Sequence, residues 1–311
     1  MPLKLEVADC DHLQKLLSFY DIHKAHLLGQ RNAENRDIQL CCFVNVINIE
    51  KLFSVDSTSS NDRKYLVWKN TGEEAVLHFQ GIASQICVTP FRPDSPGRIA
   101  RPGVLRQFIQ VVSDPDDSIF QEARAAEKAI QKFMWQYGRN PDHLVLHDST
   151  FGGIPALYAD SKLLTAPSQP VGTTIPIHAD MEEKNALTRL CQDTRHRYTD
   201  DNAVSYFEWY CLDDNTMRQE LHCVWKRYYL PKFNSLQPRD SGRAIRAGHL
   251  VDIGVTFRLL LGKRGDVRFI SKLDSITIID RSSADVKVGR NEEKCQYHRT
   301  TKQPEEKKDC S

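Results

Sequence analysis

The sequence predicts an α+β protein, rich in strands, with two antiparallel sheet regions and an amphipathic helix between or against them. Three observations carry that expectation. Strand-like segments fill residues 38–112, a strongly amphipathic helical segment spans 115–137, and a second strand series fills 173–281. A chain of 311 residues can bury a real core as one large domain or two of ordinary size. The division read from composition is an α+β part over 1–150, a basic β-rich part over 173–281, and a tail over 282–311 expected to be disordered.

Taken in order, Leu13, Leu16, Leu17, Tyr20, Leu27 and Leu28 fall at helical spacing, and Gly29 stands where a helix ends. From Ile38 the period becomes that of strands. Residues 38–55 are rich in Val, Ile, Phe and Cys, and 65–68, 75–79, 82–88 and 104–112 follow as further strands. Four prolines between 90 and 102 exclude a central strand there. In the segment 115–137, Asp114 is the expected cap, Pro115 suits the first helical position, and Asp116 and Asp117 suit the positive end of the dipole. Ile119, Phe120, Ala123, Ile130, Phe133, Met134 and Tyr137 form its apolar face, and Gly138 ends it.

Beyond that helix, 143–147 reads as a short strand and the Gly/Pro/Ser-rich 152–172 as a boundary or long loop. A strand over 173–177 and a short helix over 181–191 come next. Four strand-like stretches close the series: 205–212, 219–230, 249–261 and 267–279. The last two are joined by Gly262, Lys263, Arg264, Gly265 and Asp266, a glycine-bearing hairpin loop.

The amino-terminal residues lack a basic stretch followed by an apolar one, so no signal peptide is read there. No apolar run reaches 18 residues, because Asn45 and Asn48 interrupt the most hydrophobic stretch. The expectation is an intracellular chain, cytoplasmic or nuclear, with no membrane partner. Nine cysteines at irregular spacing, without a C-x-x-C pair, read as reduced structural thiols. P-loop, G-x-G-x-x-G, G-x-S-x-G and H-E-x-x-H motifs do not occur.

The net charge of +1 conceals a basic segment: between 218 and 272 stand twelve Lys and Arg against four Asp and Glu. Within it, Lys226, Arg227 and Tyr228 lie beside Trp225 and Tyr229, followed by Arg239, Arg243 and Arg246. Arginine forks suit phosphate and aromatic faces stack on unpaired bases. Arg258, Arg268 and Lys272 extend the charge along strands, with Lys263 and Arg264 at the hairpin tip. The expectation is a non-enzymatic binding or assembly protein, without a cofactor, whose basic face engages RNA or another polyanion. A second copy of the chain is the other expected partner. The plainer alternative is that this face pairs with the acidic remainder of the chain.

A rival reading starts from His178 and Asp180, spaced so that imidazole and carboxylate leave a strand on one face. With another histidine they would make a 2-His-1-carboxylate site for Fe(II). His143 and His147, with Asp148, form a second cluster of the same chemistry. The H-x-D pair, the following Ala186-Leu187-Thr188-Arg189-Leu190, the stretch Val251-Asp252-Ile253-Gly254, and Arg281-Ser282-Ser283 resemble motifs of the 2-oxoglutarate-dependent oxygenases. That resemblance implies a metal-dependent oxygenase with Fe(II) and 2-oxoglutarate as cofactors. The sequence departs from it where the family's second histidine belongs, since 269–273 reads Phe-Ile-Ser-Lys-Leu. The plainer reading is a surface histidine beside a helix-capping aspartate.

Overall fold

The structure is a computed structural model and describes residues 38–57, 62–88, 102–138, 148–169, 172–177, 185–210, 224–228, 245–262 and 267–280. The helix expected over 13–28, the strand expected over 143–147 and the tail over 282–311 lie outside the described residues. The fold is α+β and strand-rich. Its helices are α1 (Val46–Leu52), α2 (Ser118–Trp135) and α3 (Ala186–Thr194). Its strands are β1 (Phe53–Ser57), β2 (Arg63–Trp68), β3 (Leu77–Cys87), β4 (Arg106–Val112), β5 (Ser149–Phe151), β6 (Ile154–Lys162), β7 (Ser205–Tyr210), β8 (Val224–Tyr228), β9 (Leu250–Leu261) and β10 (Val267–Asp280).

These strands pair in one mixed sheet of ten, not in two antiparallel regions. The reason is that β9 and β10 reach back to strands of the amino-terminal half. One edge of β9 pairs β3 over Leu250 to Val255 and then β2 over Arg258 to Leu260, and its other edge carries β10. From β3 the pairing runs through β4 to β6, both antiparallel, and from β6 to β10, where it is parallel. The path β3–β4–β6–β10–β9–β3 therefore closes on itself as a five-stranded barrel. The closure is partial, since β6 and β10 pair at one position, Lys272 opposite Asp160. Past it β10 continues beside β7 in parallel, and β7 carries β8.

β3 turns the corner that makes this ring. It faces β9 with its first half and β4 with its second, and Ile82 has a partner on both sides, Leu250 and Val112. A register shift between Ala83 and Gln85 adds twist at the crossing. A Cβ on Gly81 would stand 2.6 Å from both Val111 Cγ1 and the Val112 carbonyl oxygen, so the two backbones approach closely only because this residue has no side chain.

The barrel is filled by alternate residues: Leu77, Phe79, Ile109, Val111, Leu157, Ala159, Val251, Ile253, Val255, Phe257, Leu259 and Leu273 are all buried in one cluster. The same cluster takes in Phe120, Ala123, Ile130, Phe133 and Met134 of α2, which closes the core as its apolar face predicts. Tyr137, placed on that face by sequence, is instead 45% exposed because the helix ends at Trp135. The cap is Asp117 rather than Asp114: its carboxylate accepts from the N–H groups of Ile119 and Phe120. Ser113 donates to the same carboxylate, while the Asp114 side chain accepts from Asp116 N–H in the preceding turn.

Two local expectations fail for readable reasons. Residues 46–52 include the β-branched Val46, Ile47 and Ile49 yet form α1, since Asn45 caps the turn by accepting from Ile47 N–H. The stretch 152–172 is not a loop throughout, because Gly152 and Gly153, with φ of 57° and 83°, make the two-residue turn of the β5–β6 hairpin. A second, smaller core of Leu163, Leu164, Leu187, Leu190 and Tyr198 holds α3 beside the end of β6. The strand expected over 173–177 reduces to a bridge between Thr174 and Thr199.

Candidate functional site

If the inward residues of the barrel make the core, the alternate residues make its outer face, and on β4, β6, β10, β9 and β2 that face is basic. The registers place Phe108, Asp160, Lys272 and Thr256 side by side across β4, β6, β10 and β9. Because β10 runs parallel to β6, the next rows diverge: Arg106 opposite Lys162 lies one step toward the end of β6, and Tyr65, Arg258 and Ile270, across β2, β9 and β10, lie one step toward the start of β10. A third step pairs Arg63 and Arg268 with Leu260.

Two features stand on this face. The first is aromatic: the rings of Phe108 and Tyr158, diagonal neighbours on β4 and β6, stack with centroids 5.7 Å apart and planes 30° from parallel. Both are partly exposed. Arg106 donates to Asp160 at 2.8 Å beside them, and the Tyr158 hydroxyl donates to the other oxygen of that carboxylate at 3.4 Å. Burial, then the Asp160 charge, pushes the Tyr158 phenol up to about 12, so it stays a neutral donor. Arg268, exposed on β10, acts electrostatically on both Tyr158 and Lys162.

The second feature is a half-open cleft of about 50 Å³, lined by Arg63, Arg106, Lys162, Arg258 and Lys272 and by two carboxylates, Asp160 and Asp201. Arg258 is its fixed point. Its guanidinium donates to both oxygens of Glu74, at 2.6 and 2.8 Å, and to Asp201, and lies 4.8 Å from the centre of the Tyr65 ring. Asp201 also takes Arg63 at 3.3 Å and Lys272 at 3.8 Å. Burial opposes ionisation of Asp201, but Arg258, Lys272 and Arg63 hold its carboxyl below the usual range. The two lysines show the opposite strain. Burial, then Arg63 and Arg106, lowers the Lys162 ammonium, and burial, then Arg258, lowers that of Lys272.

The sequence-predicted residues distribute unevenly over this site. Arg258, Arg268 and Lys272 stand on the face as expected. Arg246 is exposed but lies just ahead of β9, at the opposite end of that strand from Arg258, and its N–H donates to the Nδ1 of the buried His249. Lys226, Arg227 and Tyr228 fall in β8, paired with β7. Arg239, Arg243, Lys263, Arg264, His143, His147, His178 and Asp180 lie outside the described residues. Arg63, Arg106, Phe108, Tyr158 and Lys162 were missed: they stand in the less basic half of the chain. Their signal is the period-two alternation of 106–110 and 156–162, where large or charged residues alternate with residues that point inward.

For metal or nucleophilic chemistry the described residues offer little. No group of three or more His, Cys, Asp and Glu among them is placed to hold a metal ion. Asp252, in the stretch that resembles an oxygenase motif, lies in β9 and is taken by His78 Nδ1 at 3.2 Å and by Gln80, which donates at 2.7 Å. Cys41 lines a small recess with His78, but burial pushes its thiol up to about 12, the protonated form. No helix among the described residues is long and apolar enough to cross a membrane.

The chain matches no family model and no curated protein sequence. Function rests on the site.

Proposed function

We propose that the outer face of the barrel binds single-stranded nucleic acid, with the stacked Phe108 and Tyr158 as a base platform and the surrounding cations as the track for the backbone. The single observation that carries this reading is an aromatic pair left partly exposed between Arg106, Lys162 and Arg268. Sequence-tolerant binding of unpaired bases needs those two ingredients, exposed ring faces and a basic groove. A duplex has no free base faces to offer the rings, which favours a single strand.

The topology supports the same reading by analogy. Counted within the ring, β3, β4, β6, β9 and β10 are its first to fifth strands, a five-stranded, partly open barrel comparable to the OB-fold. Barrels of that type hold oligonucleotides on the face of the second and third strands, which here are β4 and β6, the strands of Phe108 and Tyr158. Folds host many functions, so the analogy is secondary to the site. The sequence expectation of a polyanion partner is kept, and the residues proposed to meet it change.

The test is fluorescence anisotropy with labelled oligo(dT), oligo(U) and a duplex of equal length, across a salt series. Expected are preference for the single strands and a linear fall of log affinity with log salt. Phe108→Ala and Tyr158→Ala are each expected to weaken binding by about 5- to 150-fold, the range of one lost base stack, without changing the salt slope. Affinity equal to wild type in both variants, or binding indifferent to salt, would sink the proposal.

A further inference from the structure

We infer that the cleft between β2, β6, β9 and β10 is a subsite for one phosphate group, engaged by Lys162 and Lys272 with Arg63, next to the aromatic platform. The inference rests on the nucleic-acid reading and sharpens it by dividing the face into a base subsite and an anion subsite.

Two observations point to an anion. The first is the balance of charge. Six cations, Arg63, Arg106, Lys162, Arg258, Arg268 and Lys272, meet four carboxylates, Glu74, Asp160, Asp201 and Asp274. Glu74 is engaged in the Arg258 fork and Asp160 by Arg106, while Asp201 is shared among Arg258, Arg63 and Lys272. Among the described residues no carboxylate lies within ion-pair distance of Lys162, and the Lys272 contact to Asp201 is long at 3.8 Å. Second, both ammonium groups are held below the ordinary lysine value, first by burial and then by neighbouring guanidiniums. Buried, crowded cations of this kind are stabilised by an incoming anion.

The consequence is linked proton uptake. Lys162 is faced by Arg63, Arg106 and Arg268 and by Asp201, and Lys272 by Arg258 and by Asp201, Glu74 and Asp274. An added phosphate charge opposes the effect of the cations on both and raises their proton affinity. Binding is therefore expected to strengthen as pH falls below the ordinary lysine value of 10.5.

The test uses the full chain with two probes, oligo(dT) and inorganic pyrophosphate, on wild type, Lys272→Gln and Arg63→Gln, with Lys162→Gln, at a half-buried lysine, as the variant least exposed to a folding defect. If the inference holds, pyrophosphate displaces oligo(dT) better than chloride at equal ionic strength. Each substitution weakens oligo(dT) binding by about tenfold at low salt and reduces the salt slope by about 1. Calorimetry in buffers of different ionisation enthalpy then shows proton uptake in wild type that shrinks in the lysine variants. If oligo(dT) binds but slope, affinity and proton uptake are unchanged in all three variants, the subsite is overturned and the base platform stands. If oligo(dT) does not bind, the nucleic-acid reading falls. Pyrophosphate binding lost in the variants would then still support an anion site, and no pyrophosphate binding by wild type would overturn it.

Discussion

Replacing Arg258 by Met tests how the basic face is held together. The change keeps an unbranched apolar stem of similar reach and removes the guanidinium, whose side chain is 9% exposed. Glu74 then loses the cation to which it is bidentate, and Asp201 loses one of three. Breaking a buried pair typically costs 3–5 kcal/mol, mostly through the partner charge left behind. Here the carboxylates are 28% and 19% exposed and Asp201 keeps Arg63 and Lys272, so the low end, about 3 kcal/mol, is expected. Arg258→Lys keeps a charge but loses the fork and the contact with Tyr65, and about 1–2 kcal/mol is expected. Urea unfolding without ligand measures both, and the double variant Glu74→Gln, Arg258→Met closes a mutant cycle. If the stranded carboxylate is the cause, the double variant recovers a good part of the loss. A cost below about 0.5 kcal/mol for Arg258→Met, or no recovery in the double variant, would refute the reasoning.

Two further outcomes follow from the same structure. Glu127 on α2 accepts from the Ser271 hydroxyl, and burial raises its carboxyl from 4.5 to about 7 against the pull of Arg124 and Lys128. A raised acid binds its proton in the folded state, so its contribution is complete below pH 4.5 and fades as pH rises to about 7. Thermal melts of wild type against Glu127→Gln are expected to show that slope, worth up to about 3 kcal/mol, only in wild type. Gly81→Ala places a methyl 2.6 Å from a backbone carbonyl at the corner of β3, and a loss of at least about 2 kcal/mol in urea is expected; a midpoint equal to wild type would show that β3 and β4 can part there.

What the sequence made legible was local. The β9–β10 hairpin was readable from two β-rich runs around 262–266, and α2 from its apolar spacing, because in both the signal and the structure lie within a few turns of chain. The α1 helix was hidden because Val46, Ile47 and Ile49 favour strands in isolation, while Asn45 and packing of Ile49 and Phe53 into the core decide otherwise. The single sheet was hidden because pairing between Leu77 and Val255, or Asp160 and Lys272, joins residues more than a hundred positions apart. The candidate face divides along the same line. Its cations on β9 and β10 drew notice as part of a basic segment. Phe108 and Tyr158 become a pair only once β4 and β6 are placed side by side.

The closure of the barrel through Asp160 and Lys272 alone has a mechanical consequence. A ring of strands separates first where the fewest main-chain bonds tie it, so local opening is expected along this seam well before the core exchanges. The seam runs beneath the proposed binding face, with Phe108 and Tyr158 on one bank and Arg268, Lys272 and Arg258 on the other. A ligand lying across both banks would lace the opening shut. Its binding energy would then register as slower amide exchange in β6 and β10, at positions it never touches.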